Sequence, residues 1–132
     1  MKKLLLLMCF VVFSITTKAH DWNPVIEAVI QVESKGNPRA FNKNGNCAGI
    51  LQITPGLVKQ CNIILKAKGD STRYSLNDRY NVEKSKEMFI LVQEHYNKEC
   101  NVEKAIRIWN GGPKYSITKT QKYLNKVMRY YK

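Results

Sequence analysis

Five stretches of this sequence place apolar side chains at the spacing of an α-helix, and this pattern constrains the fold more than any other feature. In the first stretch, Ile26, Val29 and Ile30 fall at positions i, i+3 and i+4, so they share one face of a helix. Three of the stretches are preceded by residues that are typical of a helix start, namely Asn23-Pro24, Thr54-Pro55 and Asn101. We therefore predict five helices, which begin at or near Asn23, Thr54, Tyr80, Asn101 and Thr118.

The segments between the helices are polar or rich in glycine. Gly36 and Pro38 end the first helix, and residues 39–48 form a loop in which Asn44-Gly45 favours a small hairpin. The apolar run GILQI, residues 49–53, indicates a short strand or extended piece, and residues 70–78 form a polar connection. The fold class predicted from this succession is mainly α, with one short extended or hairpin segment after the first helix.

Residues 1–19 have the composition of a secretory signal peptide. Two lysines precede an apolar run over residues 4–13, and a polar-to-small segment ends at Ala19. The run is shorter than the roughly 20 residues that cross a bilayer, although an uncleaved anchor is the alternative. We predict cleavage after Ala19, export to the periplasm or the exterior of a bacterium, no stable membrane anchor after cleavage, and a single domain over residues 20–132.

The chain is strongly basic. Its net charge is +12, and removing the signal peptide with its three lysines and no acids leaves +9. Such a surface suits a polyanion, whether nucleic acid, anionic lipid or an acidic wall polymer, although most single lysines simply face solvent. Export favours a partner outside the cytoplasm.

Three cysteines follow the signal peptide: Cys47, Cys61 and Cys100. In an oxidising compartment two of them could pair in any of three ways, leaving one thiol over. They lack the paired short spacings of a zinc site, and the only histidines are His20 and His95. We therefore predict no metal and no cofactor.

Glu33 lies one turn beyond Ile30 on the otherwise apolar face of the first helix, immediately before the loop. Burial against apolar groups raises the pKa of a carboxyl, and so does a position at the negative end of the helix dipole. A carboxyl kept protonated near neutral pH can donate a proton to a leaving oxygen, as the cleavage of a glycosidic bond requires.

Periodicity alone favours a plainer interpretation of Glu33. A carboxylate at the edge of an apolar stripe often reaches water or pairs with a nearby cation, here Lys35 or Arg39. Glu27 lies one position off the stripe, and we predict that it is solvated.

Four sequence blocks bear on this choice: ESKGNPRAFN, GILQITP, AIRIWNGGP and TQKYLNKVMRYY, in this order. Together they resemble the lytic transglycosylase family with the soluble-transglycosylase, goose-lysozyme-like catalytic domain. The resemblance spans about residues 22–131 and implies an α+β lysozyme-like fold.

By this resemblance Glu33 is the catalytic acid and base, Ser34 is its usual neighbour, and Tyr123 lies near the catalytic carboxyl. Gln52 and Asn110 match blocks that line the sugar-binding cleft. Asn42 and Asn44 stand where relatives often place serines that contact the sugar. Further departures from the family pattern are Leu51 for Met, Trp109 for Tyr and Gly111 for Ala. The substrate-binding residues predicted are thus Ser34, Asn42, Gln52, Asn110 and Tyr123.

The resemblance implies non-hydrolytic cleavage of the β-1,4 bond between N-acetylmuramic acid and N-acetylglucosamine in peptidoglycan, with one Glu as acid and base and a 1,6-anhydro end as product. A lysozyme-type hydrolase and a non-catalytic wall-binding module are the alternatives on the same fold. A nucleic-acid binder would suit the charge, but no nucleic-acid motif is present and the predicted export argues against it. A secretion or conjugation apparatus is a possible partner.

Overall fold

Four of the five α-helices begin after a capping side chain, and the sequence predicts two of these caps, Thr54 and Asn101. In the computed structural model, which describes residues 19–132, Thr54, Asn81, Asn101 and Ser116 each accept a hydrogen bond from the backbone amide three residues further on. The elements, in chain order, are α1 (Asn23–Glu33), β1 (Phe41–Asn42), β2 (Cys47–Ala48), α2 (Pro55–Ala67), a 3-10 helix (Leu76–Tyr80), α3 (Val82–Tyr96), α4 (Val102–Gly111) and α5 (Ile117–Met128).

The predicted signal peptide lies outside the described residues, apart from Ala19. Among residues 19–132, no helix has both the length and the apolar character needed to span a membrane.

The mainly α, lysozyme-like fold class is confirmed. α1 lies at the centre and contacts both α4 and α5, while α2 packs against α3. The apolar stripe of α1 enters the core with Ile26, Val29 and Ile30, each at most 2% exposed. Phe89, Leu51 and Ile106 complete the inner layer.

Two helix boundaries differ from the prediction. Asn23 is the first residue of α1 and not its cap, and the Asp21 carboxylate accepts its backbone amide at 3.0 Å. The third helix was predicted to begin near Tyr80, but α3 extends from Val82 to Tyr96. The side chain of Asn81 caps the start of α3. At its end, the Asn97 side chain donates to the carbonyl of Asn101 and accepts a hydrogen bond from the amide of the same residue, and these bonds compete with continuation of the helix.

The hairpin predicted at Asn44-Gly45 is confirmed, because β1 and β2 pair antiparallel around this turn. The strand predicted for residues 49–53 is wrong for most of its length. Gly49 and Gln52 adopt positive φ angles of 82° and 53°, which produce a turn, and only Ile53 pairs with Ala48 in an isolated bridge. An apolar run of five residues does not distinguish a strand from a buried turn.

The buried side chain of Arg79 fastens the 3-10 helix to the hairpin. Its guanidinium donates to the backbone carbonyls of Asn46 at 2.8 Å, Ile53 at 3.1 Å and Leu76 at 2.9 Å. The backbone of Gly49 approaches the same residue so closely that an added Cβ would lie 1.6 Å from the Arg79 carbonyl oxygen. The turn after the hairpin is therefore fixed against residue 79.

No disulfide joins Cys47, Cys61 and Cys100, the three cysteines in the part of the chain that the structure describes. Cys61 is buried in the core, and this burial raises the pKa of its thiol to about 12. It acts as a small apolar side chain under α3.

The contact between Gly49 and Arg79 predicts a large difference between two glycine substitutions. Gly49→Ala combines a positive φ with a backbone clash, so we expect a loss of roughly 3–5 kcal/mol in the free energy of unfolding. Gly36→Ala is the matched control, because Gly36 has a similar φ of 83° and nothing within 4 Å of an added Cβ. It should cost only about 1–2 kcal/mol. Urea denaturation measures both, and equal losses would contradict the proposed contact.

Candidate active site

Glu33 is the last residue of α1, and its side chain meets a tyrosine from the far end of the chain. The Tyr123 hydroxyl on α5 donates a hydrogen bond of 2.6 Å to Glu33 Oε1. Burial raises the pKa of Glu33 above its ordinary value of 4.5, while the hydrogen bond from Tyr123 acts in the opposite direction and is the smaller effect. The carboxyl is therefore a candidate proton donor.

The ion pairs considered for Glu33 do not form. Neither Lys35 nor Arg39 lies within ion-pair distance of its carboxylate in the described structure. Glu27, in contrast, is exposed as predicted, and its carboxylate pairs with Lys86 at 3.3 Å. Two glutamates six residues apart on one helix thus have different environments.

Glu33 opens into a cleft of about 450 Å³. One wall comes from β2, the turn after it and the first turns of α2, and the opposite wall comes from the end of α4 and the segment that follows. The lining residues besides Glu33 are Cys47, Gln52, Ile53, Thr54, Gly56, Leu57, Gln60, Ile108, Trp109, Asn110, Gly112 and Pro113. Among these residues Glu33 is the only carboxylate, so the cleft offers a single acid.

Two of the predicted binding residues line this cleft with Glu33. The Gln52 side-chain amide donates to the carbonyls of Ala40 at 3.2 Å and Gly49 at 3.0 Å, so it also holds the turn in place. Asn110 is exposed at the end of α4 on the opposite wall. Its amide is free to face a ligand in the cleft.

Ser34 and Asn42 do not line the cleft. The Ser34 hydroxyl donates to the Ile50 carbonyl at 2.7 Å and thereby ties the end of α1 to the turn. The Asn42 side chain accepts the Asn44 amide at 3.0 Å within the hairpin. Both side chains are engaged in local structure next to the cleft.

Sequence reasoning missed Cys47 and Gln60 as cleft residues. Burial raises the pKa of the Cys47 thiol, and the charge of Glu33 raises it further, which reflects their proximity. Gln60 donates to the Tyr96 hydroxyl at 2.6 Å. The helical spacing could have indicated Gln60, because residues 56, 57 and 60 share one face of α2 and all three line the cleft.

The position of Tyr123 depends on how α5 is fixed to α4. The buried Arg107 guanidinium of α4 donates to the Ile117 carbonyl at 2.8 Å, to Thr120 Oγ1 at 2.9 Å and to Gln121 Oε1 at 2.6 Å. These bonds anchor the first turns of α5 and leave Tyr123, about one turn further along, directed at Glu33.

Gly111, which stands where the family pattern has alanine, is explained by the packing between α4 and α5. A Cβ at residue 111 would lie 2.8 Å from Thr120 Cγ2 and 2.9 Å from Tyr115 Cβ. The close approach of α4 and α5 therefore requires a residue without a side chain. Trp109, the other departure nearby, packs against Phe89 and donates its Nε1 hydrogen to the Leu51 carbonyl at 3.3 Å.

In the cleft and elsewhere in residues 19–132, no three His, Cys, Asp or Glu side chains come together in a way that could hold a metal ion. The titratable groups that the cleft offers are one partly desolvated carboxyl with a phenolic neighbour and the thiol of Cys47.

Burial of Glu33 predicts a stability that depends on pH. Because the pKa of Glu33 is raised in the folded state, its stabilising contribution is complete below pH 4.5 and is lost as the pH rises through the folded pKa. We expect Glu33→Gln to unfold at the same temperature as the wild type at pH 4 and at a higher temperature at pH 7. The exposed Glu27→Gln is the control and should show little difference at either pH. Calorimetry over this range tests the prediction, and a lower melting temperature for Glu33→Gln at pH 7 would contradict it.

Comparison with known proteins identifies the family. No curated protein matches the chain, but residues 10–132 match the family described as Transglycosylase SLT domain. The match covers nearly the whole sequence and confirms the resemblance found in the four sequence blocks. The domain is that of transglycosylases that act on peptidoglycan, and the chain belongs to this family.

Proposed function

We propose that this protein is a lytic transglycosylase in which Glu33 alone serves as acid and base. It cleaves the β-1,4 bond between N-acetylmuramic acid and N-acetylglucosamine and leaves a 1,6-anhydro end. One observation carries the proposal: a partly desolvated carboxyl, hydrogen-bonded to Tyr123, is the single acid among the residues that line the cleft.

In the first step Glu33 acts as the general acid. The protonated carboxyl donates its proton to the bridging oxygen, and the bond between this oxygen and C1 of the muramic acid breaks. The acetamido oxygen of the same sugar attacks C1 and forms a cyclic, positively charged intermediate. No protein nucleophile is required, which suits a cleft with no second carboxylate.

In the second step Glu33 acts as the base. The carboxylate takes the proton from the C6 hydroxyl of the muramic acid, and the C6 oxygen attacks C1 while the bond from the acetamido oxygen breaks. The acid is thereby restored, the acetamido group is regenerated and no water is consumed. Tyr123 supports the first step because its hydrogen bond stabilises the carboxylate that forms there, and it fixes the orientation of the carboxyl in both steps.

The remaining cleft residues suit the binding of a sugar chain. Gln52 and Asn110 present amides from opposite walls, and the half-buried Trp109 offers an aromatic ring. Ser34 and Asn42 are proposed to contribute through the shape of the cleft edge, since their side chains bind neighbouring atoms of the protein.

A lysozyme-type hydrolase is the second candidate on this fold. Hydrolases of glycosidic bonds usually place a second carboxylate across the bond to activate water or to act as a nucleophile. The nine other acids of this chain lie away from the cleft lining, as far as the described structure shows. A wall-binding module without activity has no use for a desolvated acid, so Glu33 also argues against that alternative.

The setting of the activity follows from the predicted signal peptide. We propose that the protein is exported and works on the wall in the periplasm or outside the cell, without a stable membrane anchor. The action could serve wall turnover or local opening of the wall for a secretion or conjugation apparatus. Nucleic acid is not a proposed partner.

The central test compares the products of wild-type and Glu33→Gln protein on purified sacculi. The wild type should release fragments with anhydro ends, about 18 Da lighter than hydrolysed fragments, because one water is not added. Glu33→Gln should lower the rate by about 10²- to 10⁴-fold. Glu27→Gln, which changes an exposed glutamate of the same helix, should retain full activity. Reducing ends from the wild type would favour the hydrolase, and an active Glu33→Gln would remove this residue from the mechanism.

The hydrogen bond from Tyr123 predicts a shift in the pH profile. Since the reaction starts from protonated Glu33, activity should fall as the pH rises through the pKa of Glu33. Tyr123→Phe removes the group that lowers this pKa, so the alkaline limb of kcat/KM should move to higher pH. The maximal rate should fall by about tenfold to a hundredfold. A limb that stays in place or moves to lower pH would show that Tyr123 does not act on the carboxyl.

A further inference from the structure

A second groove, of about 500 Å³, lies on a different face of α2 from the catalytic cleft. The cleft uses Gly56, Leu57 and Gln60, whereas the second groove uses the other side of the helix. Its lining residues are Pro55, Val58, Lys59, Asn62, Ile63, Lys66, Arg73, Tyr74, Ser75 and Leu76. The start of α2 is the boundary between the cleft and the second groove, because Thr54 lines the cleft and Pro55 lines the groove.

The far wall of the groove is held firmly to α2. The Asn62 side chain donates to the Tyr74 carbonyl at 2.9 Å and accepts the Tyr74 amide at 2.8 Å. This two-way bond fastens the segment before the 3-10 helix alongside α2. The groove is therefore a built feature and not a gap beside a loose connection.

The groove combines positive charge with exposed apolar surface. Lys59, Lys66 and Arg73 line it, no acidic residue does, and none of the three forms an ion pair in the described structure. Ile63 and Leu76 are 52% and 49% exposed. The Asp70 carboxylate, close in sequence, accepts the Thr72 amide at 2.8 Å and is not part of the lining.

We infer that this groove binds the peptide stem of the glycan strand that occupies the cleft. The inference rests on the proposed function and adds a determinant of substrate choice. The stems hang from the muramic acid that undergoes cleavage, and they carry free carboxylates together with small apolar side chains. Carboxylates pair with the lysines and the arginine, and the methyl groups pack against Ile63 and Leu76.

The two grooves adjoin at the start of α2, because Thr54 lines the cleft and the next residue, Pro55, lines the second groove. Four extended residues span about 13–14 Å, which is more than the width of one helix. A stem that leaves the cleft at the start of α2 is therefore long enough to enter the groove. The enzyme should consequently prefer strands that still carry their peptides over strands from which an amidase has removed them.

The test uses the double variant Lys59→Glu/Lys66→Glu on two substrates, intact sacculi and amidase-stripped glycan strands. We expect its initial rate at limiting substrate to fall by about tenfold on sacculi. On stripped strands it should equal the wild type within about twofold, because the cleft is unchanged. Lys98→Glu/Lys132→Glu is the matched control, since it makes the same change of charge at exposed lysines outside both grooves.

Arg73→Gln provides a second probe from the opposite wall and should give a smaller loss of the same selectivity. Because Arg73 lies outside α2, this variant shows whether the loss comes from a folding defect in that helix. Equal melting temperatures of the wild type and the double variant would also exclude such a defect. An equal fall in the initial rate on both substrates would overturn the inference. An unchanged rate on both substrates would also overturn it, and this is the result expected if the groove binds an acidic protein partner instead. Glu33→Gln separates the two proposals: if it abolishes activity while the groove variants show no selectivity, only the peptide-stem inference fails.

Discussion

The hydrogen bond between Tyr123 and Glu33 joins residues 90 positions apart, and the arrangement of the helices can be understood from it. A carboxyl at the end of α1 is removed from water, which favours its neutral form. A hydroxyl on α5 then gives the charged form one strong partner. These effects oppose each other, and burial is the larger, so the pKa of Glu33 stays above its ordinary value, as the proposed role of a proton donor requires. The environment of this carboxyl depends on α5 being close to α1, although no residue of α5, Tyr123 included, is among the residues that line the cleft.

The supporting contacts are made largely by two buried arginines, and each one fixes a different wall. Arg107 joins α4 to the start of α5 through a backbone carbonyl and two side chains. Arg79 binds carbonyls of the hairpin, of Ile53 and of its own 3-10 helix. A guanidinium carries several donors in a rigid plane, so one residue can connect segments that share no regular hydrogen bonding. The small protein thereby holds irregular backbone rigidly beside its acid.

The sequence was sufficient to predict the helices and the hairpin, because both follow from local rules. The caps at Thr54 and Asn101 and the turn at Asn44-Gly45 were correct for this reason. The turn over residues 49–53 was not predicted, since its geometry depends on contact with Arg79, a residue 30 positions away. Glu33 could be singled out from its place on an apolar face, but that pattern by itself favoured a solvated carboxylate. Only the family resemblance brought in Tyr123, and no local pattern predicted that Ser34 would bind the Ile50 carbonyl.

Gly111 has a consequence for how such an acid can be adjusted. The residue lies between Asn110 and Gly112, which line the cleft with Glu33, and the absence of its side chain leaves room for Thr120 of α5 and for Tyr115. A Cβ at this position would lie 2.8 Å from Thr120 Cγ2 and 2.9 Å from Tyr115 Cβ, so one of these neighbours would have to shift. Thr120 lies about one turn before Tyr123 on α5, and Tyr123 donates the hydrogen bond to Glu33. The packing of α4 against α5 is therefore coupled to the group that lowers the pKa of Glu33.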